Sequence, residues 1–158
     1  MRDGGTAGRR VAGVVRNPPS LRLAVYLWTS PTTLLGLALA ALALPGGRWR
    51  RADGVLEASG GWLPRLLRLA PIGGGAAAVA LGHVVLAQDQ AALDRTRAHE
   101  RVHVRQAERW GPLFVPAYLL VAGWLLVRRR DPYLEHPFEI EARRGGERAA
   151  PPPRTRSG

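Results

Sequence analysis

Three residues define the chemistry within reach of this sequence: His99, Glu100 and His103, spaced as H-E-x-x-H. On an α-helix, residues four apart lie one above the other, so the two imidazoles can hold one metal ion. Glu100, turned about 100° from His99, can reach a water on that ion and act as its general base. Catalytic zinc takes three protein ligands and keeps a position for water, whereas structural zinc takes four, often thiolates. The chain has no cysteine, which excludes a thiolate site and any disulfide. A third ligand must therefore come from elsewhere. Glu135, His136, Glu139 and Glu141 stand together in one later segment.

These residues need two helices to bring them together. The first is predicted from about Gln90 to Trp110, stopped by Gly111-Pro112. Its periodicity gathers Ala92, Thr96, His99, His103, Gln106, Ala107 and Trp110 on one stripe, with Glu100 at the edge. Arg97, Arg101, Arg105 and Glu108 fall on the opposite, charged side. The second is a short helix over Phe138–Arg144, with Pro137 near its first turn, after a loop at Asp131–Pro137. Between them Leu113–Val127 is apolar on nearly every side and closed by Arg128-Arg129-Arg130, which suit a helix C-terminus. The uncharged run Trp110–Val127 has 18 residues, the lower edge for crossing a bilayer. Spanning the membrane, lying in its interface and burial in a core all remain open for this helix. Tyr118 and Trp124 would sit well at headgroup level.

Upstream of the first helix, Ala76–Ala87 is an apolar run with valines at 79, 84 and 85, read as one strand. Such a strand could lie along a cleft and pair with an extended peptide. His83, within it, is read as structural or as a hydrogen-bond partner of a ligand. Arg48–Gly61 turns at Asp53-Gly54 and is predicted as a short hairpin. Trp62–Leu69 reads as an amphipathic helical turn at a membrane surface, broken by Gly73–Gly75.

Four regions follow. Residues 1–20 form a basic, glycine- and proline-rich tail expected to be disordered. Residues 21–46 form a hydrophobic helix, with no charge from Leu23 to Pro45, read as a membrane anchor or re-entrant hairpin. Ser30-Pro31 is a good helix start; a helix from there to Leu44 is about 21 Å long, too short to span upright. A signal peptide ending near Ala41-Leu42-Ala43 is the third option. Residues 47–147 hold the metal-binding domain, and 148–158, with the Pro151–Pro153 run, form a second disordered tail.

All 23 basic residues are arginine, and the net charge is +11. The arginines are scattered between apolar blocks and nothing reads as a base-stacking platform, so nucleic acid is not an expected partner.

The later segment resembles the gluzincin branch of the HExxH zinc metallopeptidases, whose third ligand is a glutamate on a later helix, often as E-x-x-A. Glu139-Ile140-Glu141-Ala142 matches, which implies Glu139 as ligand and Ala142 leaving space against the first helix. The chain is also similar to small bacterial proteins carrying HExxHxxQ, a WGP-type turn and a PFE segment, here His99–Gln106, Trp110-Gly111-Pro112 and Pro137-Phe138-Glu139. The similarity spans roughly Leu81–Arg144. In those relatives an asparagine precedes the PFE proline; His136 stands there in this chain, and whether it also touches the metal is left open. No third histidine follows at the metzincin spacing. The resemblance implies a minimal zincin-like core with a His2Glu Zn2+ site and does not name a substrate; the expected fold is α+β, mostly helical, the expected substrate a peptide or protein, and the hydrophobic segments point to the bacterial inner membrane and contact with lipid.

On this reading Glu100 is the general base and His99, His103 and Glu139 the metal ligands. Gln106, one turn below His103, supports a ligand. Tyr118, Tyr133, His136 and Arg143 are the candidates to donate to a developing oxyanion. Asp131, Glu135 and Glu141 could orient the histidines. Two other readings compete: an inactive zincin-like interaction module, and a small membrane protein in which HERVH is fortuitous.

Overall fold

The computed structural model describes residues 19–70 and 75–149. The basic tail expected over residues 1–20 falls almost wholly outside the described residues, as do most of the C-terminal tail and of the glycine break at 73–75. The rest is an α+β, mostly helical domain built on a four-stranded sheet.

Pairing begins with β1 (Arg48–Ala52) and β2 (Val55–Ser59), antiparallel about the Asp53-Gly54 turn, the hairpin expected there. The apolar run after residue 75 departs from its expected single strand. It is a second hairpin, β3 (Ala78–Leu81) and β4 (Val84–Ala87), turning at Gly82-His83. β4 inserts beside β2 in parallel, giving the order β1-β2-β4-β3 and leaving β3 at an edge.

Every residue of β4 is buried, because helices cover both faces of the sheet. Val84 and Leu86 pack with Ala40, Ala58, Leu63 and Leu67 on one side. Val85 and Ala87 pack with Val55, Leu93 and Val104 on the other. A strand covered on both faces reads as a continuous apolar run rather than an alternation. That is why the pattern hid its turn.

The N-terminal apolar segment is also not one helix. It forms α1 (Pro19–Trp28) and α2 (Ser30–Ala40), which meet at a 68° bend. Pro31 in the first turn of α2 lacks the N–H that a continuous helix would use. The Thr29 and Ser30 hydroxyls bond back to the carbonyls of Val25 and Leu27. α3 (Leu63–Arg68) is the short turn expected after the first hairpin.

The longest apolar helical path lies instead in the C-terminal half. α4 (Gln90–Trp110) passes through a tight turn at Gly111–Leu113 into α5 (Phe114–Val127). By length and composition this path is sufficient to cross a membrane, with mean hydropathy 1.7 in its most apolar window. α4 starts at Asp89, whose side chain accepts from the Ala92 N–H at 2.6 Å, an N-cap in the ordinary sense.

α6 (Pro137–Ala149) packs along α4. It was expected to stop at Arg144, yet it continues through Gly145 and Gly146. A Cβ at Gly145 would stand 2.7 Å from Val102 Cγ2, and one at Gly146 would crowd the His99 backbone. These glycines let two helices approach closely; they do not end one.

Candidate metal centre

α4 lies with its His99–His103 face towards α6. Ala142, wholly buried, and the two glycines after it keep the helices close, so Glu139 in the first turn of α6 reaches both histidines. Its Oε1 is 3.2 Å from His103 Nε2 and its Oε2 is 3.2 Å from His99 Nε2. The two Nε2 atoms are 3.1 Å apart. One ligand atom from each residue lies within 4.8 Å of the others, and the three could hold a metal ion. Glu139 and His103 are buried and His99 partly so.

The donors are aimed as well as gathered. Gln106 Oε1 lies 2.8 Å from His103 Nδ1, while its Nε2 donates to the Phe138 carbonyl at 3.1 Å and to Glu141 Oε2 at 2.9 Å. Both of those partners are pure acceptors, which fixes the amide orientation. Gln106 must then accept from His103 Nδ1–H, so Nε2 is the ring atom left to face Glu139 and, without its proton, a metal. Glu139 Oε1 also accepts from the Tyr118 hydroxyl at 2.8 Å. Burial pushes the Glu139 carboxyl up, but His103, His99 and Tyr118 outweigh it and hold the group well below the usual carboxylate range.

Two buried oxygens, Glu139 Oε2 and Glu100 Oε2, make no hydrogen bond among the described residues. An orphaned carboxylate oxygen in a dry site is costly. A cation between the histidines and Glu139 fits that need, and a water beside it fits Glu100. Burial pushes the Glu100 carboxyl above its ordinary value, partly offset by His103 and His99.

The centre opens into a cavity of about 730 Å3. Residues 76–81, carrying the edge strand β3, form one wall. Phe114, Tyr118 and Leu119 of α5 form another, and Tyr133 also lines it.

The remaining candidates separate. His136 is not among the ligands: its Nε2 lies 3.0 Å from the Tyr118 carbonyl and its Nδ1 accepts from the Phe138 N–H at 3.3 Å. That second bond is the one an asparagine would accept at a helix start. Arg143 donates to the carbonyls of Tyr133 and Leu134 at 2.8 and 2.6 Å, holding the loop that leads into α6. Glu141 pairs with Arg109 and Gln106. Glu135 pairs with Arg130, and Asp131 accepts from the Tyr133 and Leu134 amides. Of the four oxyanion candidates, only Tyr118 has its polar atom bonded to the cluster.

His83 is structural. Its ring bridges Thr29 Oγ1 and Glu108 Oε1, each at 3.0 Å, and its N–H donates to Thr33. The charged back of α4 hides a feature that the sequence did not reveal. Glu57, 1 % exposed in β2, receives Arg97 through Nε at 3.1 Å and Nη2 at 3.2 Å, and Arg101 at 3.2 Å. Nothing in the pattern of β2 marks Glu57 as buried; its only signal is two arginines four apart on a helix that must face a sheet.

No family model, curated protein or solved structure matches the chain.

Proposed function

We propose that this protein is a membrane-associated, zinc-dependent metallopeptidase that uses His99, His103 and Glu139 as ligands and Glu100 as general base. The observation that carries the reading is the convergence of three ligand atoms within 4.8 Å beside a buried carboxyl with an orphaned oxygen. All four residues line one cavity.

Zinc in a His2Glu site supplies Lewis acidity, lowering the pKa of water and polarising a carbonyl oxygen. The chain's own residues do the rest. Glu100 takes a proton from the attacking water as a C–O bond forms, then delivers it to the amine nitrogen as the C–N bond breaks. Gln106 holds the His103 ring in the tautomer that leaves Nε2 free. Tyr118, already donating to Glu139, can turn its hydroxyl to a developing oxyanion. The unpaired edge of β3 offers backbone N–H and C=O groups to an extended peptide.

The membrane part of the reading rests on α1, α2 and α5, which leave Leu27, Leu34, Leu120 and Val127 between 63 and 82 % exposed. Where such residues form a contiguous patch, they mark a membrane or partner contact.

Elemental analysis of the purified protein beside His99→Ala and Glu139→Gln tests the site. About one zinc per chain, lost in both variants, is the expected result. Glu100→Gln should keep the zinc and abolish peptide cleavage. Absence of zinc in the unaltered protein after reconstitution would overturn the reading; zinc retained with no cleavage by the unaltered protein would leave a metal-binding module.

A further inference from the structure

α5 serves two surfaces at once. Its Phe114, Tyr118 and Leu119 wall the metal cavity, and around the same helix Leu120, Trp124, Leu126 and Val127 are 51 to 82 % exposed. Only Phe114 and Leu125 of its fourteen residues are buried. A helix apolar on every side needs apolar surroundings, and the protein supplies them on one side alone.

The neighbouring surface continues the pattern. The α1–α2 bend packs at the α4–α5 turn, where the Trp28 indole lies against Gly111. Trp28 and Leu113 are 48 and 59 % exposed there. Charge marks the border. Arg128, Arg129 and Arg130 are exposed at the end of α5, and the Arg128 guanidinium lies 5.2 Å from the Trp124 ring. Aromatic residues next to arginines are the arrangement that seats at the headgroups of an anionic bilayer. At 1.5 Å per residue α5 is about 21 Å long, against about 30 Å of hydrocarbon.

We propose that the metal cavity draws its substrate from an anionic bilayer: α5 is seated in the leaflet, and an apolar, extended segment of a membrane-inserted polypeptide passes along it to the edge of β3. The cavity suits such a chain, because its surface is more apolar than polar, with Val79, Leu81, Phe114, Val115 and Leu119 among its walls. This inference rests on the peptidase reading for its chemistry, but its surface does not depend on the metal.

The test uses the full chain in two backgrounds, unaltered and Leu34→Asp/Leu120→Asp/Val127→Asp; those three positions lie outside the cavity wall. Flotation with phosphatidylcholine–phosphatidylglycerol vesicles (3:1) is expected to recover the unaltered protein and Glu100→Gln equally. The triple variant should float at least tenfold less. A vesicle-inserted apolar peptide carrying a photoreactive group should label residues 76–81 and 115–119 of Glu100→Gln, with at least tenfold less label in the triple variant. A short water-soluble peptide should label both backgrounds alike, which also shows that the triple variant is folded. Equal flotation of the two backgrounds, or vesicle-dependent label elsewhere on the chain, would overturn the inference. If the unaltered protein cleaves neither peptide while the labelling holds, the peptidase reading alone falls.

Discussion

Gln106 offers the sharpest handle on the proposed centre, because it touches His103 while lying outside the three residues that could hold an ion. Replacing it with leucine removes the acceptor for His103 Nδ1 and the two donations to Phe138 and Glu141. Loss of a partner that orients a metal-bound histidine costs about 10- to 100-fold in affinity, or roughly 1.4 to 2.7 kcal/mol. Three lost hydrogen bonds also weaken the fold, by about 1 kcal/mol each, since Gln106 is 1 % exposed. The two effects are separable. Zinc affinity, measured by competition with a chromophoric chelator well below the unfolding temperature, reports the ring orientation. Urea denaturation in EDTA reports the fold. Gln106→Glu keeps the acceptor for His103 but turns acceptors towards the Phe138 carbonyl and Glu141. It should lose stability much as the leucine variant does, while binding zinc at least as well as the unaltered protein. Unchanged zinc affinity in Gln106→Leu, or equal losses in both variants, would refute the orienting role.

Glu57→Leu strands Arg97 and Arg101 at the sheet face and should destabilise the fold by about 3 kcal/mol, read from a lower urea midpoint; because both arginines can turn partly to water, a loss above about 5 kcal/mol would be surprising. Gly111→Ala places a Cβ at φ +56° against the Trp28 indole and should cost about 1–3 kcal/mol, with a shift in tryptophan emission that Gly123→Ala, in open space, does not produce. Zinc at about 1,000 times its dissociation constant should stabilise by about 4 kcal/mol, raising the melting temperature by on the order of 10 °C, and EDTA should reverse it; a melting temperature indifferent to zinc would argue against the three-ligand centre.

The parts legible in the sequence were those governed by local rules. Asp53-Gly54 marks a hairpin by turn chemistry alone, and Gln90–Trp110 ends at a glycine-proline stop. The resemblance led to the expectation of Glu139 beside His99 and His103, and the three lie within 4.8 Å of one another. What escaped was set by tertiary cover. The turn at Gly82-His83 sits inside a run that is apolar because helices cover both faces of β4. Gly145-Gly146 reads as a break when met alone; only the nearness of Val102 and His99 explains why it stays helical. Ser30-Pro31 marked a helix start and α2 begins there; the separate α1 before it and the 68° bend between them were not marked. Arg97 and Arg101 resemble a solvated face until Glu57 is seen behind them.

That Glu57 contact also decides what each helix owes to the metal. α4 is pinned to the sheet from behind by one carboxylate shared between two guanidiniums a turn apart, so the direction of its histidines is fixed whether or not an ion is present. Among the described residues α6 has no such anchor in the sheet; it is tied to α4 through Glu139, Gln106 and the exposed Arg109–Glu141 pair. In hydrogen–deuterium exchange the two should separate. The amides of α4 would exchange only with the opening of the whole domain, and chelation would leave them almost untouched. Those of α6 would open in a smaller unit of their own, and that unit would close more tightly as the ion binds.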